Sequence, residues 1–326
     1  MNSFGRIFRI SIFGESHGEG VGVVLDGIPV GIELSVEDFL EDLDRRRSGA
    51  KGTTPRKESD TPTLISGVFN GYTTGAPLCV MFHNENTKSG DYSNLVKHPR
   101  PSHSDWVAQQ KYEGFNDYRG GGHFSGRLTL ALVAAGVVAK KMLAGVEIKA
   151  SLLSIAGCSD ESKFDELIKT AMSERDSLGG LIECRASGIE VGLGEPFFDS
   201  VESVISHLLF SVPAVKGVEF GAGFAVADAR GSQNNDDILN SQGVTRTNNA
   251  GGIVGGITNG NEIVVRAAIK PTPSISYPQE TFNTQTGQVE TLVVKGRHDA
   301  CIALRASVVV EAAVAIALAD LSLIYN

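Results

Sequence analysis

The chain of 326 residues has only four cysteines, and no two of them are close in sequence. They stand at positions 79, 158, 184 and 301 and form no Cys-x-x-Cys pair. Such spacing indicates neither a zinc ribbon nor a disulfide framework. We therefore expect reduced thiols, a cytoplasmic protein and no metal site.

The chain also lacks an excess of positive charge. It has 29 Lys and Arg against 38 Asp and Glu, which gives a formal net charge of -9. General nucleic-acid binders and proteins of anionic membranes need a basic excess, so we expect neither nucleic acid nor membrane as a partner. The cations are bunched, at 45–47, 51–57 and 100–127. Basic islands on an acidic protein favour a small anionic substrate.

No apolar run is free enough of charge to predict a signal peptide or a membrane span. The run near the N-terminus is broken at Glu15 and His17, which disfavours a signal peptide. The run over 301–324 contains Glu311 and Asp320, and such charges are costly in a bilayer. We expect this second run to be a buried helix of a soluble protein.

Several common catalytic motifs are absent. The sequence has no P-loop, no G-x-G-x-x-G after a strand and no H-E-x-x-H pair. A G-x-S-x-G pattern occurs at 14–18, but strands are predicted on both sides of it, whereas a nucleophile elbow joins a strand to a helix. It also has no carboxylate cluster suited to magnesium. Metal-assisted phosphoryl transfer and serine hydrolysis are therefore disfavoured. Arginine and imidazole groups remain, which suit chemistry on a phosphate-bearing molecule.

The stretch over 100–136 carries the densest chemistry. Arg100 and His103 flank a proline turn, Arg119 precedes three glycines, and small residues predict a core helix over about 126–143. Glycines let backbone N–H groups approach a ligand closely. The unpaired N–H groups at a helix N-terminus attract anions. We expect a phosphate site at the head of this helix.

A second junction of the same kind lies at 296–299, where a glycine loop bearing Arg and His leads into the C-terminal helix. The repetition suggests internal duplication and predicts that the two helices lie side by side. Together the elements predict an α+β protein with a single domain over 1–326. Strands are predicted at 8–13, 21–25, 64–69, 78–82, 182–191, 215–227, 262–269 and 290–294.

Six short motifs place glycine, histidine and cations in turns: GESHG at 14–18, RRRSG at 45–49, RPSH at 100–103, KYEGFNDYRGGG at 111–122, KPTPS at 270–274 and GRHDAC at 296–301. In this order, over nearly the whole chain, they resemble the chorismate synthase family. The resemblance implies a β-α-β sandwich, in which two antiparallel sheets enclose long helices, and a homotetramer. It implies loss of phosphate from 5-enolpyruvylshikimate 3-phosphate by anti-1,4-elimination, which gives chorismate.

The resemblance also implies reduced FMN as cofactor and assigns roles to individual residues. By similarity, His17 lies near flavin N1, His103 protonates the substrate or the leaving phosphate, and Asp299 handles the proton at flavin N5. Flavin contacts are expected from His123, Phe124, Ser125, Pro213, Ala214, Gly255, Lys270, Pro271, Thr272, Pro273, Ser274 and Arg297. Candidates for gripping the anionic substrate are Arg46, Arg47, Lys51, Arg56, Arg119 and Arg127.

One departure from the family's pattern concerns charge. The family commonly has RSSAR after the triple glycine, and this chain has His123 and Phe124 at the first two of those positions. Two other functions remain open at this point. An NAD(P)H-dependent flavin oxidoreductase is disfavoured by the missing dinucleotide motif, and an RNA-binding module is disfavoured by the net charge. Because no reductase domain is evident, we expect an external flavin reductant.

Overall fold

The computed structural model describes residues 1–49, 52–53, 58–85, 95–296 and 298–325. The strands in these ranges are β1 (Ser3–Phe4), β2 (Arg9–Gly14), β3 (Gly20–Asp26), β4 (Thr63–Ser66), β5 (Val68–Phe69), β6 (Tyr72–Thr73), β7 (Leu78–His83), β8 (Glu147–Ile155), β9 (Gly180–Ser187), β10 (Val215–Phe220), β11 (Ile253–Val254), β12 (Ile257–Thr258), β13 (Ile263–Ile269), β14 (Gln279–Asn283) and β15 (Gln288–Leu292). The helices are α1 (Glu37–Arg46), α2 (Asp105–Lys111), α3 (Thr129–Met142), α4 (Phe164–Glu174), α5 (Val201–Ser211), α6 (Gly231–Asn234) and α7 (Ser307–Tyr325).

Two antiparallel sheets form the framework, which makes the protein α+β as expected. The first has the strand order β1-β2-β3-β7-β4 and the second β10-β13-β9-β8. In β3, Val21, Val23 and Leu25 are fully buried, and Val265 and Ala267 in β13 are buried in the same alternating way. Because strand side chains alternate between faces, each sheet has one buried face.

The helices α3 and α7 lie side by side, as the two similar junctions predicted. α3 packs on β2, β3 and β7 of the first sheet, and α7 packs on β8 and β9 of the second. A Cβ added to Gly136 in α3 would lie 2.6 Å from the Cα of Ala312 in α7. Only glycine at this position allows the two backbones to approach so closely.

The charges inside the apolar C-terminal helix are all held by partners. Asp320 accepts backbone N–H groups of Arg6, Ile7 and Phe8, which ties the first strands to the helix. Glu311 accepts hydrogen bonds from Arg45 and Lys140. By length and composition Arg119–Met142 and Ser307–Tyr325 pass for membrane spans, but 78% of each apolar window is buried in the protein. Both are core helices here.

Three strand predictions differ from the structure. The run over 215–227 is strand only to Phe220, because Gly221 and Gly223 take positive φ values of 55° and 59° and turn the chain. The run over 64–69 is divided at Gly67, which has a φ of 87°. The predicted strand over 182–191 ends at Ser187. Glycines with positive φ interrupt ladders that apolar alternation would continue.

Candidate active site

A cavity of about 770 Å³ opens where α3 and α7 begin. Thr129, from the first turn of α3, and Val309, from the first turn of α7, both line it. The positive ends of two helices therefore face one space, which favours a bound anion. The remaining wall comes mainly from the glycine-marked loops of the sequence analysis.

The RPSH turn contributes a connected group of three charged side chains. The guanidinium of Arg100 donates to both carboxylate oxygens of Asp105 at 2.7 Å, and Nδ1 of His103 lies 2.6 Å from Asp105 Oδ1. Arg100 also donates to Ser274 Oγ at 2.8 Å, which joins this turn to the KPTPS loop. All of these side chains are nearly buried, so the group is rigid.

Burial and hydrogen bonding act in opposite directions on the pKa values of His103 and Asp105. Burial lowers the pKa of His103, and Arg100 lowers it further, while the hydrogen bond to Asp105 works against both. The net pKa of His103 lies below its ordinary value. Burial alone would raise the pKa of Asp105, but hydrogen bonds from Arg100 and His103 outweigh it and hold that pKa well below the usual range. The surroundings thus favour the charged form of Asp105 and the neutral form of the imidazole.

A second ionic group contacts the head of α3. Asp60 is 4% exposed, accepts a hydrogen bond from Arg127 at 3.0 Å and lies 3.7 Å from Nη1 of Arg46. Arg46, also 4% exposed, donates to Thr129 Oγ1 and to the Gly126 carbonyl, both at 2.8 Å. One carboxylate therefore balances two buried guanidinium groups.

Positive charge exceeds negative charge around Arg46. Burial lowers the pKa of Arg46 to about 9, and the nearby Arg305 and Arg127 add to this effect. Arg305 in turn lies 3.8 Å from Asp299 Oδ1. Clustered cations that lower one another's pKa are stabilised by a bound dianion, so this region is suited to phosphate.

The triple glycine closes over the GESHG turn. Gly120, Gly121 and Gly122 all have positive φ, and a Cβ on Gly122 would lie 1.9 Å from the Asp117 carbonyl oxygen. The Ser16 N–H donates to the Gly122 carbonyl at 3.1 Å. His17 packs directly behind Gly120, where a Cβ would come within 2.4 Å of the imidazole Cδ2. The glycines thus place His17 next to the cavity wall.

We expect the substitution Gly120→Ala to reduce turnover about tenfold or more. The added Cβ would displace the His17 ring, and misplacements near 1 Å are costly in active sites. A φ of 59° adds backbone strain. Gly145→Ala is the matched control, because Gly145 has a φ of 80° but nothing within 4 Å of its Cβ position. Equal turnover in the two variants would show that this contact does not position His17.

Most of the predicted site residues meet in this cavity. The side chains or backbone of the following residues line it: Arg46, His103, His123, Phe124, Ser125, Arg127, Pro213, Ala214, Lys270, Thr272, Pro273, Ser274 and Asp299. Three predicted residues, Lys51, Arg56 and Arg297, lie outside the described residues. Residues brought together from six separate segments make the cavity the candidate site.

Five predicted residues do not line the cavity. His17 lies behind Gly120, as described. Arg47 pairs with Asp44 at 2.6 Å because it follows Arg46 at the end of α1 and points to another side.

The positions of the other three residues have local causes. Arg119 is 43% exposed and paired with Asp117. Gly255 forms the turn of the β11-β12 hairpin, and Pro271 packs behind the wall against Gly179. In the isolated chain Arg47, Arg119, Gly255 and Pro271 are therefore not placed to contact a ligand in this cavity.

Sequence reasoning missed residues that hold the predicted ones in place. Asp60 and Asp105 are the buried counterions, and Asn84 accepts a hydrogen bond from Arg127. Arg305 also lines the cavity, as does His298, which belongs to the glycine loop of the second junction. For Asp105 a signal was present, because it follows His103 by two residues at the start of a helix. No local pattern marks Asp60.

The apolar and polar groups that line the cavity suit a cofactor with an aromatic ring and a phosphate group. Phe124 and Leu132 supply apolar surface, while Lys270, Lys216 and Ser125 supply polar groups on the same wall. A pocket of this volume is in the range typical of cofactor sites. His123 donates from Nδ1 to the Gly14 carbonyl at 2.8 Å, so its ring is anchored to β2. This anchored imidazole replaces the freely charged arginine of the family's pattern.

Comparison with known proteins agrees with this geometry. The chorismate synthase family profile matches residues 8–323. A chorismate synthase of Chitinophaga pinensis is 60% identical over 99% of this chain and 97% of its own length. One of Dehalococcoides mccartyi is 45% identical over 99% of this chain and 96% of its length. A crystal structure of chorismate synthase superimposes with a TM-score of 0.74 at 30% identity, covering 98% of this chain and 93% of that one. The chain belongs to the chorismate synthase family.

Proposed function

We propose that this cavity converts 5-enolpyruvylshikimate 3-phosphate to chorismate by anti-1,4-elimination of phosphate, with reduced FMN bound in the same cavity. Family membership supports the reaction. The observation that supports the site is the grouping of His103, Asp299 and the buried cations around one space at two helix heads. The elimination removes a phosphate dianion and a proton, and the cavity has groups for both.

The cations are proposed to bind and stabilise the phosphate group. Arg46 and Arg127 are held rigidly by Asp60, so little order is lost when an anion binds. A single pair of unit charges at 4 Å is worth about 4 kcal/mol at an effective dielectric of 20. Several such cations favour the departing phosphate more than the bound ester, because charge on the oxygen increases as the C–O bond breaks.

Proton transfer is assigned to His103 and Asp299. Burial lowers the pKa of His103, and a dianion beside it would stabilise the imidazolium, which then protonates the phosphate oxygen. Asp299 is proposed to handle the proton that flavin N5 would carry with reduced FMN bound. The chemistry that reduced FMN supplies when bound is transient electron donation to the substrate, with no net redox change. His17 is proposed to support the flavin from behind Gly120.

The finer features of the family are proposed for this chain as well. The contacts of α3 with one sheet and of α7 with the other support the β-α-β sandwich. We further propose a cytoplasmic homotetramer whose FMN is reduced by an external donor. Gly255 and Arg119 lie away from the cavity of their own chain. We therefore propose that they contribute to binding only in the assembled tetramer.

Turnover under anaerobic conditions tests the function. Purified protein with dithionite-reduced FMN and 5-enolpyruvylshikimate 3-phosphate is expected to release phosphate and form chorismate at equal rates. Oxidised FMN serves as the control and should give no product. Absence of chorismate with reduced FMN would reject the proposal. Oxidation of NADPH by the pure protein, without chorismate, would instead support a flavin oxidoreductase.

A further inference from the structure

We propose that Asp105 is a positioning residue, which keeps a proton on Nδ1 of His103 so that Nε2 is the atom that exchanges a proton with the substrate. This inference rests on the proposed function only in naming the substrate as the proton's destination. The orientation and the protonation state of the imidazole follow from contacts within the protein.

The carboxylate of Asp105 is fixed before it meets the histidine. Oδ2 accepts from Arg100 Nε at 2.7 Å and from the Arg100 backbone N–H at 3.0 Å. Oδ1 accepts from Arg100 Nη2 at 2.7 Å and lies 2.6 Å from His103 Nδ1. With four contacts, the carboxylate has no freedom to rotate away from the imidazole.

The short distance decides which ring nitrogen carries the proton. An unprotonated Nδ1 would bring its lone pair within 2.6 Å of an anionic oxygen, which is strongly repulsive. Two N–H donors, Arg100 Nη2 at 3.1 Å and the Asp105 amide at 3.2 Å, also lie near Nδ1. Both are farther than the carboxylate, and so is the Ser104 hydroxyl at 3.4 Å, which can donate or accept. The Asp105 carboxylate is therefore the nearest acceptor and the charged one. The neutral ring is therefore the Nδ1–H tautomer, with a lone pair on Nε2.

Other charges near the ring oppose its protonation. Arg100 and Lys270 disfavour the imidazolium electrostatically, and His298 is close enough for the two rings to influence each other. Asp105 is the carboxylate that opposes these cations and stabilises a charged ring. Without it, the ring would be both misoriented and harder to protonate.

The proton transfer breaks one bond on His103 and forms one on the phosphate. In the imidazolium, Nε2–H breaks, its electron pair stays on Nε2, and the proton forms an O–H bond on the departing phosphate. Nδ1–H remains bonded to Asp105 throughout. Asp105 itself exchanges no proton, because its pKa lies well below the usual range.

The substitution Asp105→Asn tests the inference. The amide preserves shape but removes the charge and allows the other tautomer. We expect kcat to fall about 100-fold with the substrate KM changed less than about threefold, as befits loss of acid–base chemistry. Asp105→Glu, which restores a carboxylate, is expected to regain about tenfold. A kcat for Asp105→Asn within threefold of the parent would overturn the proposal.

A spectroscopic measurement separates this inference from the function. Nitrogen-15 NMR of labelled histidine, assigned with His103→Ala, should show Nδ1–H in the parent protein and a mixture of tautomers in Asp105→Asn. An Nε2–H tautomer in the parent would overturn the proposal even if Asp105→Asn failed to fold. Protein that forms no chorismate but shows Nδ1–H would refute the function alone. Asp237→Asn, which removes an exposed pair with Arg246, is the control and should change neither readout.

Discussion

Replacing Asp60 by asparagine is expected to lower the free energy of unfolding by about 3 kcal/mol, the largest stability effect we predict. Removing one partner of a buried ion pair typically costs 3–5 kcal/mol, because the other charge stays buried without compensation. At this position one carboxylate serves both Arg46 and Arg127. Asparagine keeps a hydrogen-bond acceptor and tolerates the backbone, whose φ is 50°. The measured loss of unfolding free energy therefore reports the removal of the negative charge.

Added anions should stabilise the Asp60→Asn variant more strongly than they stabilise the parent protein. With Asp60 neutral, the two guanidinium groups are left in excess, and inorganic phosphate can take the place of the missing carboxylate. Chemical denaturation with and without phosphate measures both effects. Asp237→Asn, at a largely exposed pair, should cost less than about 1 kcal/mol and show no added response. Equal destabilisation of the two variants would contradict the assignment of Asp60 as the buried counterion.

Replacing His103 by alanine is expected to reduce kcat by about 100-fold to 1,000-fold, while the affinity for reduced FMN stays within about threefold. General acid catalysis by a positioned imidazole typically accelerates a reaction by a factor of this size. The ring contacts Asp105 and the cavity, but no buried apolar group depends on it. Single-turnover formation of chorismate and equilibrium binding of reduced FMN measure the two quantities separately.

The pH dependence gives a second readout for His103. The pKa of His103 is lowered by burial and by Arg100, so kcat/KM should fall as the pH rises through a value below the ordinary 6.5 of histidine. His103→Ala should lack this limb, whereas limbs due to the substrate phosphate should persist. His98→Ala is the control, since His98 pairs with Glu290 and does not line the cavity. Retention of full rate by His103→Ala would show that the acid is another group.

The sequence predicted those parts of the site that depend on local structure. Glycine turns, the head of α3 and the side-by-side helices follow from residue types within a few positions of one another. The counterions were not predictable in this way. Asp60 meets Arg127 across 67 residues, and nothing near either residue in sequence indicates the pairing. Arg46 and Arg47 look alike in sequence, yet only one points into the cavity, because consecutive helical residues point in different directions.

Strand β8 was not predicted from the sequence, and it shows the limit of local patterns for the fold as well. Its residues alternate until Leu152 and Leu153, where two apolar residues are adjacent, and this break hides the strand pattern. The structure places a register shift between Leu152 and Ser154 at that point. A bulge absorbs the extra residue, which alternation alone does not anticipate.

Because α3 and α7 both begin at the cavity, their peptide dipoles are parallel rather than opposed, and neighbouring dipoles in this arrangement repel. The lack of a side chain at Gly136 lets the two helices approach closely at Ala312, which strengthens the repulsion. A bound phosphate cancels part of the field at the shared end. Substrate occupancy should therefore slow amide hydrogen exchange in the first turns of both helices together, and product release should reverse it.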